Sequence, residues 1–329
     1  IYTGGSLYNF NSSYSSSLGS WKLSKLAAEN STHEKAYKYN AGIDATLFGG
    51  LNLTLEGYYQ RRSDIWVATK GKYSSVIGFD APYENGGIVD SWGMEIGANY
   101  LKTIGNVTFN VGGNFTLAKN KIVEQYEAPQ LYDNLVTTGG SLNQLMGLQA
   151  IGLFKDQKDI DESPRQTFST VKPGDIKYRD VNGDKKIDAN DKTAIGYSTV
   201  APEIYYSFNV GAEWKGLGFN ALFQGTGHYS AMLNTQSVYW PLVNNTTISQ
   251  HYYENRWTPE TPDAKYPRLT SQSNNNNFQN NTLWLADRSF LKLRNVEIYY
   301  KLPDNWMKRT KIMNNARIYV RGNDLLCFD

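Results

Sequence analysis

Cys327 is the only cysteine in 329 residues, so neither an internal disulfide framework nor a cysteine-based metal cluster can be built from this chain. Histidine is almost as scarce. His33, His228 and His251 lie far apart with no ligand-spaced partner, and each reads as an ordinary polar residue rather than a zinc ligand or catalytic base. An excess of one charge is also missing: the net charge is +2 with both signs interspersed, which removes the electrostatic footprint of a nucleic-acid binder. No stretch of ~20 apolar residues occurs, which excludes an α-helical membrane span but not a membrane. The opening Ile1-Tyr-Thr-Gly-Gly lacks the basic start and apolar core of a signal peptide, so a mature chain or a piece of a longer one is expected.

What the chain has in excess is aromatic. Its 24 Tyr, 13 Phe and 8 Trp are amphipathic rings suited to a bilayer interface or to binding sugars. Among them runs a two-residue period: Tyr37, Tyr39, Ala41, Ile43, Ala45 and Leu47 alternate with Lys38, Asn40, Gly42, Asp44 and Thr46. After Gly49-Gly50 the pattern resumes with Leu51, Leu53, Leu55 and Tyr59 against Asn52, Thr54, Glu56 and Gln60, as in a hairpin. It recurs over 107–117 and 206–223, and about ten strands are predicted in all, including Ile88–Leu101, Leu283–Tyr300 and Ala316–Gly322.

Strands of this length exceed the roughly five or six residues usual in globular sandwiches and match the ~9–11 of a transmembrane strand. Tyr58, Tyr59, Trp66, Trp92, Tyr100 and Trp214 at strand ends fit an interfacial girdle. Alternation then predicts Ala45, Leu47, Leu53, Leu55, Val111, Phe208 and Val210 on a lipid face, and Lys38, Asp44, Asn52, Glu56, Asn110 and Asn209 on a lumen face. Tight turns such as 48–50 contrast with long polar connections over 119–145 and 227–281, the asymmetry of an outer-membrane barrel. Within the second, Ser273–Asn281 is so rich in Asn that it is expected to be a mobile external tip.

Between two strands lies Asp180-Val-Asn-Gly-Asp-Lys-Lys-Ile-Asp-Ala-Asn-Asp191. Asp180, Asn182, Asp184 and Asp191, with the backbone carbonyl of Lys186, have the spacing of Ca²⁺ ligands in a twelve-residue loop. Lys185 stands where an EF-hand carries glycine, Asp191 is shorter than the usual Glu, and no flanking helices are expected. The alternative is a solvated Asp/Asn turn without an ion. A bound Ca²⁺ would be structural, holding four carboxylates together.

Five segments, in order, carry a family resemblance. They are Asn40-Ala-Gly-Ile-Asp-Ala-Thr-Leu-Phe48 with Glu56-Gly-Tyr-Tyr59, Glu84-Asn-Gly-Gly-Ile-Val-Asp90 with Gly93-Met-Glu95, and Gly174-Asp-Ile-Lys-Tyr-Arg-Asp-Val-Asn-Gly-Asp184. Arg288-Ser-Phe-Leu-Lys-Leu-Arg-Asn-Val-Glu-Ile-Tyr-Tyr-Lys-Leu-Pro303 and Ala316-Arg-Ile-Tyr-Val-Arg-Gly-Asn-Asp-Leu-Leu326 follow. Over most of its length the chain resembles the C-terminal part of SusC/RagA-like TonB-dependent transporters from the outer membrane of Bacteroidetes. The resemblance implies an all-β fold, the C-terminal portion of a 22-stranded transmembrane antiparallel barrel with long extracellular loops. It also implies import of glycans or oligopeptides together with a SusD-like surface lipoprotein, with TonB engaged through a plug and an N-terminal region not present here. About ten strands cannot close a barrel of about 22, so residues 1–329 are expected to be a fragment supplying part of the wall, with the calcium-type loop 180–191 inserted between strands.

On the transporter reading, Tyr239, Trp240, Tyr252, Tyr253 and Trp257 are candidate substrate contacts, because flat rings stack on sugars and accept peptide side chains. Girdle or loop packing is the alternative for all five. A soluble or surface calcium-stabilised β module that binds carbohydrate would explain the loop and the aromatics, but not the long two-faced strands. An enzyme is not expected, because no Ser/His/Asp set, zinc spacing or isolated carboxylate pair stands out, and acids such as Asp44 and Glu56 fit a polar channel wall.

Overall fold

The computed structural model describes residues 2–4, 8–9, 17–18, 21–23, 26–28, 31–74, 76, 78, 80–235, 238, 240–303, 305–306, 313 and 315–329. Eight long strands form one antiparallel sheet in which spatial order follows chain order. They are β1 (Lys35–Leu47), β2 (Leu51–Ala68), β3 (Tyr83–Ile104), β4 (Val107–Glu124), β5 (Ile204–Trp214), β6 (Leu217–Gly227), β7 (Phe290–Lys301) and β8 (Arg317–Phe328). The sheet has eight strands rather than the predicted ten or so; the remaining pairings among the described residues are two- to four-residue ribbons outside it. Among the described residues β1 and β8 each pair on one side only, and no pairing closes the sheet into a barrel.

Register confirms the two faces. One row across all eight strands reads Ala45, Leu53, Ala98, Gly113, Phe208, Phe223, Leu293 and Leu326, and Phe208 stacks on Phe223 at 4.6 Å. The adjacent row reads Asp44, Thr54, Gly97, Asn114, Ser207, Gln224, Lys292 and Cys327. Since successive side chains leave a strand on opposite sides, the first face is apolar and the second polar over the full width of the wall. The residues predicted for the two faces divide between them as the alternation requires. The wall is a single layer, which leaves Ile43 67 %, Ile318 66 % and Val320 77 % exposed.

Connections differ sharply between the two ends of the sheet. At one end β1–β2, β3–β4 and β5–β6 turn within two or three residues, while residues 302–316 join β7 to β8 there. Lys215 (φ 47°) and Gly216 (φ 91°) are both left-handed, the conformation that matches a two-residue hairpin turn to the right-handed twist of its strands. At the other end three long connections emerge, over 69–82, 125–203 and 228–289. Two boundaries move relative to expectation. β4 continues to Glu124, so 119–124 is wall rather than loop, and the first long connection runs on to 203. Leu283 does not begin β7; Leu285–Asp287 instead pairs with Ser230–Met232, because Trp284 is anchored in a core of its own.

That core belongs to the two longest connections, which fold onto each other. Leu148, Leu153, Ile176, Tyr178 and Ile187 from the first meet Tyr252 and Trp284 from the second, all buried. Short ribbons and two single-turn helices, Gln157–Asp161 and Gln250–Glu254, frame it, with Asp156 and Ser249 capping the helix starts.

Candidate functional site

The loop body is where chemistry-bearing side chains gather, and its centre is polar. Asp175, completely buried, accepts from Asn274 Nδ2 at 2.9 Å, Asn277 Nδ2 at 3.1 Å and the Lys172 N–H at 2.8 Å, and pairs with Arg268 at 2.8 Å. Asn277 Oδ1 accepts from the Ile176 N–H, and Asn276 Nδ2 donates to the Ile176 carbonyl. Gln166 donates to Asn276 Oδ1 and accepts from the Tyr178 N–H, both at 2.7 Å, while the Tyr178 hydroxyl donates to the Asn276 carbonyl at 2.6 Å. Asn281 Oδ1 accepts from the Leu283 N–H, and Trp284 Nε1 donates to the Asn277 carbonyl.

The Asn-rich run is therefore not the mobile tip its composition suggests. Asn274, Asn276, Asn277 and Asn281 are buried, because a carboxamide offers two donors and an acceptor and can satisfy the backbone of an irregular segment that has no ladder partner. The charge on Asp175 is tolerated in the interior because every neighbour is a donor.

Of the five aromatic candidates, four lie among the described residues. Tyr239 lies outside the described residues. Tyr252 is 3 % exposed, with its ring 4.6 Å from Tyr266 and 6.3 Å from Trp284 in a three-ring stack, and burial pushes its hydroxyl pKa up. Its ring is therefore part of the core. Trp257 packs on Gly174, whose φ of +85° and whose missing Cβ, 2.5 Å from the indole, leave room only for glycine; its indole N–H is buried with no partner among the described residues. Trp240 is exposed and sits 5.5 Å from Phe278, and Tyr253 is exposed beneath the Arg256 guanidinium at 3.8 Å.

The 180–191 loop closes by its own hydrogen bonds. Asp180 accepts from the Gly183 and Lys185 amides, Asn182 from Asp184, Asp184 from Lys186, and Asp191, fully buried, from Val181 and Asp188. Lys185 takes the left-handed conformation at φ 63° that a glycine would otherwise supply. The Lys186 ammonium on Asp188 holds that carboxyl below its ordinary range. Among the described residues no group of three His, Cys, Asp or Glu side chains is arranged to hold a metal ion.

An open cleft of about 770 Å³ runs between the two long connections, with Ile151, Leu153 and Leu283 in its lining. The Ala150–Leu153 strand bulges between Ala150 and Gly152, which turns Ile151 out of the pairing. Lys177 reaches Asp159 at 2.7 Å, and Lys155 approaches Asp263 of the other connection at 3.8 Å. Burial pushes the Asp159 carboxyl up, but the Lys177 ammonium and the Lys155 amide outweigh it and hold the group low. These residues carry no feature that composition or spacing flagged; only folding assembles them.

No protein-family model matches the chain. It is 27 % identical over 318 residues to TonB-dependent receptor P26 of Formosa agariphila, an alignment that takes in 92 % of this chain and 31 % of the relative. With TonB-dependent receptor P3 of the same organism it shares 22 % over 321 residues, 93 % of this chain and 31 % of the relative. The chain thus spans about a third of the length of these curated relatives. Among solved structures, the RagAB peptide importer in its open-open state superposes with a TM-score of 0.69 at 19 % identity, covering 98 % of this chain and 34 % of that one. The RagAB peptide transporter gives 0.68 at 19 %, covering 100 % and 35 %. The eight-stranded sheet thus matches part of the barrel of these TonB-dependent transporter structures.

Proposed function

Starting from a chain that is a homologue of outer-membrane TonB-dependent receptors of the SusC/RagA-like kind, we propose that its parent protein imports oligosaccharides or oligopeptides across the outer membrane. The homology is to transporters and not to enzymes. In this proposal residues 35–328 supply part of the barrel wall and three of its extracellular loops. A SusD-like lipoprotein closes over those loops, and energy arrives through TonB by way of the plug region. The observation that carries the proposal is the polarity of the sheet: one apolar and one polar face across eight strands, three tight turns at one end, and a folded loop body at the other. A soluble β module would have to leave that apolar face in water, where it would be an aggregation surface.

The proposed substrate contacts are the exposed Trp240 and Tyr253. Replacing Trp240 and Tyr253 by Ala in the full-length protein is expected to lower growth-supporting uptake of one nutrient class without lowering its amount in the outer membrane. Unchanged uptake of every oligosaccharide and oligopeptide offered would sink this assignment.

A structural Ca²⁺ at Asp180, Asn182, Asp184, the Lys186 carbonyl and Asp191 is a separate proposal, supported by ligand spacing alone. Each carboxylate oxygen keeps a lone pair after accepting its backbone hydrogen bond, but the side chains would have to close further than they do here. The expected outcome is a lower Tm of the full-length protein in EDTA, restored by Ca²⁺; an unmoved Tm overturns it.

A further inference from the structure

We propose that the cleft between the two long connections binds the free carboxyl end of a short oligopeptide, with Lys177 and Lys265 as the carboxylate ligands and Asp263 receiving the ammonium end. The proposal rests on the import reading and names its substrate class. Three observations point to a doubly charged, partly aliphatic ligand rather than a glycan. First, the lining has four lysines and four acids, and no Trp, Tyr or Phe; a sugar site would need a ring platform. Second, the remaining lining is aliphatic, with Ile151 turned out of its strand by the bulge and half exposed. Third, the volume of about 770 Å³ lies within the ~300–1,000 Å³ usual for small-ligand sites.

The charges are arranged so that a ligand can compete for them. Lys177 gives one of its three N–H donors to Asp159, which the Lys155 amide also holds, so the ammonium is fixed in place and keeps two donors free for a carboxylate. The Lys155–Asp263 pair spans the cleft at 3.8 Å with both side chains mostly exposed, and an exposed pair of this kind is worth less than about 1 kcal/mol. Separating the pair therefore costs little and frees Asp263 for an incoming ammonium. Peptides carry charges of both signs, and each connection that walls the cleft offers both: Lys177 and Asp159 on the first, Lys265 and Asp263 on the second.

The test uses the purified full-length protein and isothermal titration with trialanine, its C-terminal amide, its N-acetyl form and maltotriose. Trialanine is expected to bind at least tenfold tighter than its amide, and to weaken with added NaCl. Lys177→Gln should reduce affinity for trialanine about tenfold while leaving that for the amide unchanged, a pattern that misfolding cannot produce. Lys265→Gln, on the opposite wall, should show the same selectivity if Lys177→Gln is poorly recovered. Equal affinity for the acid and the amide, or binding of maltotriose but not trialanine, overturns the proposal. Continued uptake of a glycan in that case would leave the import reading standing, whereas loss of all uptake function would count against the reading itself.

Discussion

The wall and the loop body use apolar side chains in opposite ways. On β8, Val320 is 77 % exposed and Ile318 66 %, whereas Trp284 in the loop body is 1 % exposed and Leu148 and Ile176 are fully buried. Both regions come from one chain, and the difference lies in what each meets as a surround. A loop end in water must bury its own apolar area, at about 25 cal/mol per Å² removed from water. A barrel wall meets that need with lipid on one side, and its backbone is satisfied by neighbouring strands wherever they exist. Hence the loop body carries a core and the wall carries none, and among the described residues β1 and β8 each keep one unpaired edge.

The sharpest way to break the comparison is to remove the centre of one region. Trp284→Ala deletes the indole shared by two stacked tyrosines and is expected to destabilise the loop body by about 3–5 kcal/mol. Limited proteolysis of the full-length protein in outer membranes should then cut within 125–203 and 228–289 while the strands stay protected; cuts in the strands would show that the two regions do not unfold separately.

Asp175→Ala attacks the same body through its polar centre. It strands Arg268, Asn274 and Asn277 without their acceptor, at about 3 kcal/mol for a buried charge left unpaired. A melting temperature unmoved by this change would show that the carboxamide network is ornamental.

The wall is tested by a pair of neighbours. Phe208→Lys places a charge on the apolar face and should cost about 2–4 kcal/mol near the bilayer midplane, while Ser207→Lys, one residue away on the polar face, should cost close to nothing. Equal recovery of the two variants from the outer membrane would invert or abolish the face assignment.

The smallest effect expected is one of pH. Burial pushes the Glu127 carboxyl up, but hydrogen bonds from the hydroxyls and amides of Thr138 and Thr137 outweigh it, taking it from 4.5 to about 2. A depressed carboxyl stabilises the fold fully above its unfolded value and loses that stabilisation as pH falls through the folded one. The 125–140 segment should thus loosen between about pH 4.5 and 2, seen as faster amide exchange at Thr137 and Thr138. Glu127→Gln should flatten that dependence.

The wall was legible because a β-strand has a period of two that one sequence suffices to display: Ala45 and Asp44, Phe208 and Ser207, sit on opposite faces wherever the strand is placed. The loop body was legible only in outline. Tyr252 and Trp240 look alike in sequence, yet one ring is buried against Tyr266 and Trp284 and the other is exposed.

Local pattern by itself determined the two faces of the long strands and the tight turns at 48–50 and Gly216, because alternation and turn chemistry act between residues that are near in the chain. Tertiary structure alone decided that the Asn-rich run is interior, that Tyr252 is core, and that Lys155 faces Asp263 across a cleft. The physical reason is separation. Gln166 and Asn276 bond across 110 residues, and Asp175 and Asn277 across 102, so the partners that satisfy each polar group arrive only when two distant connections fold against each other.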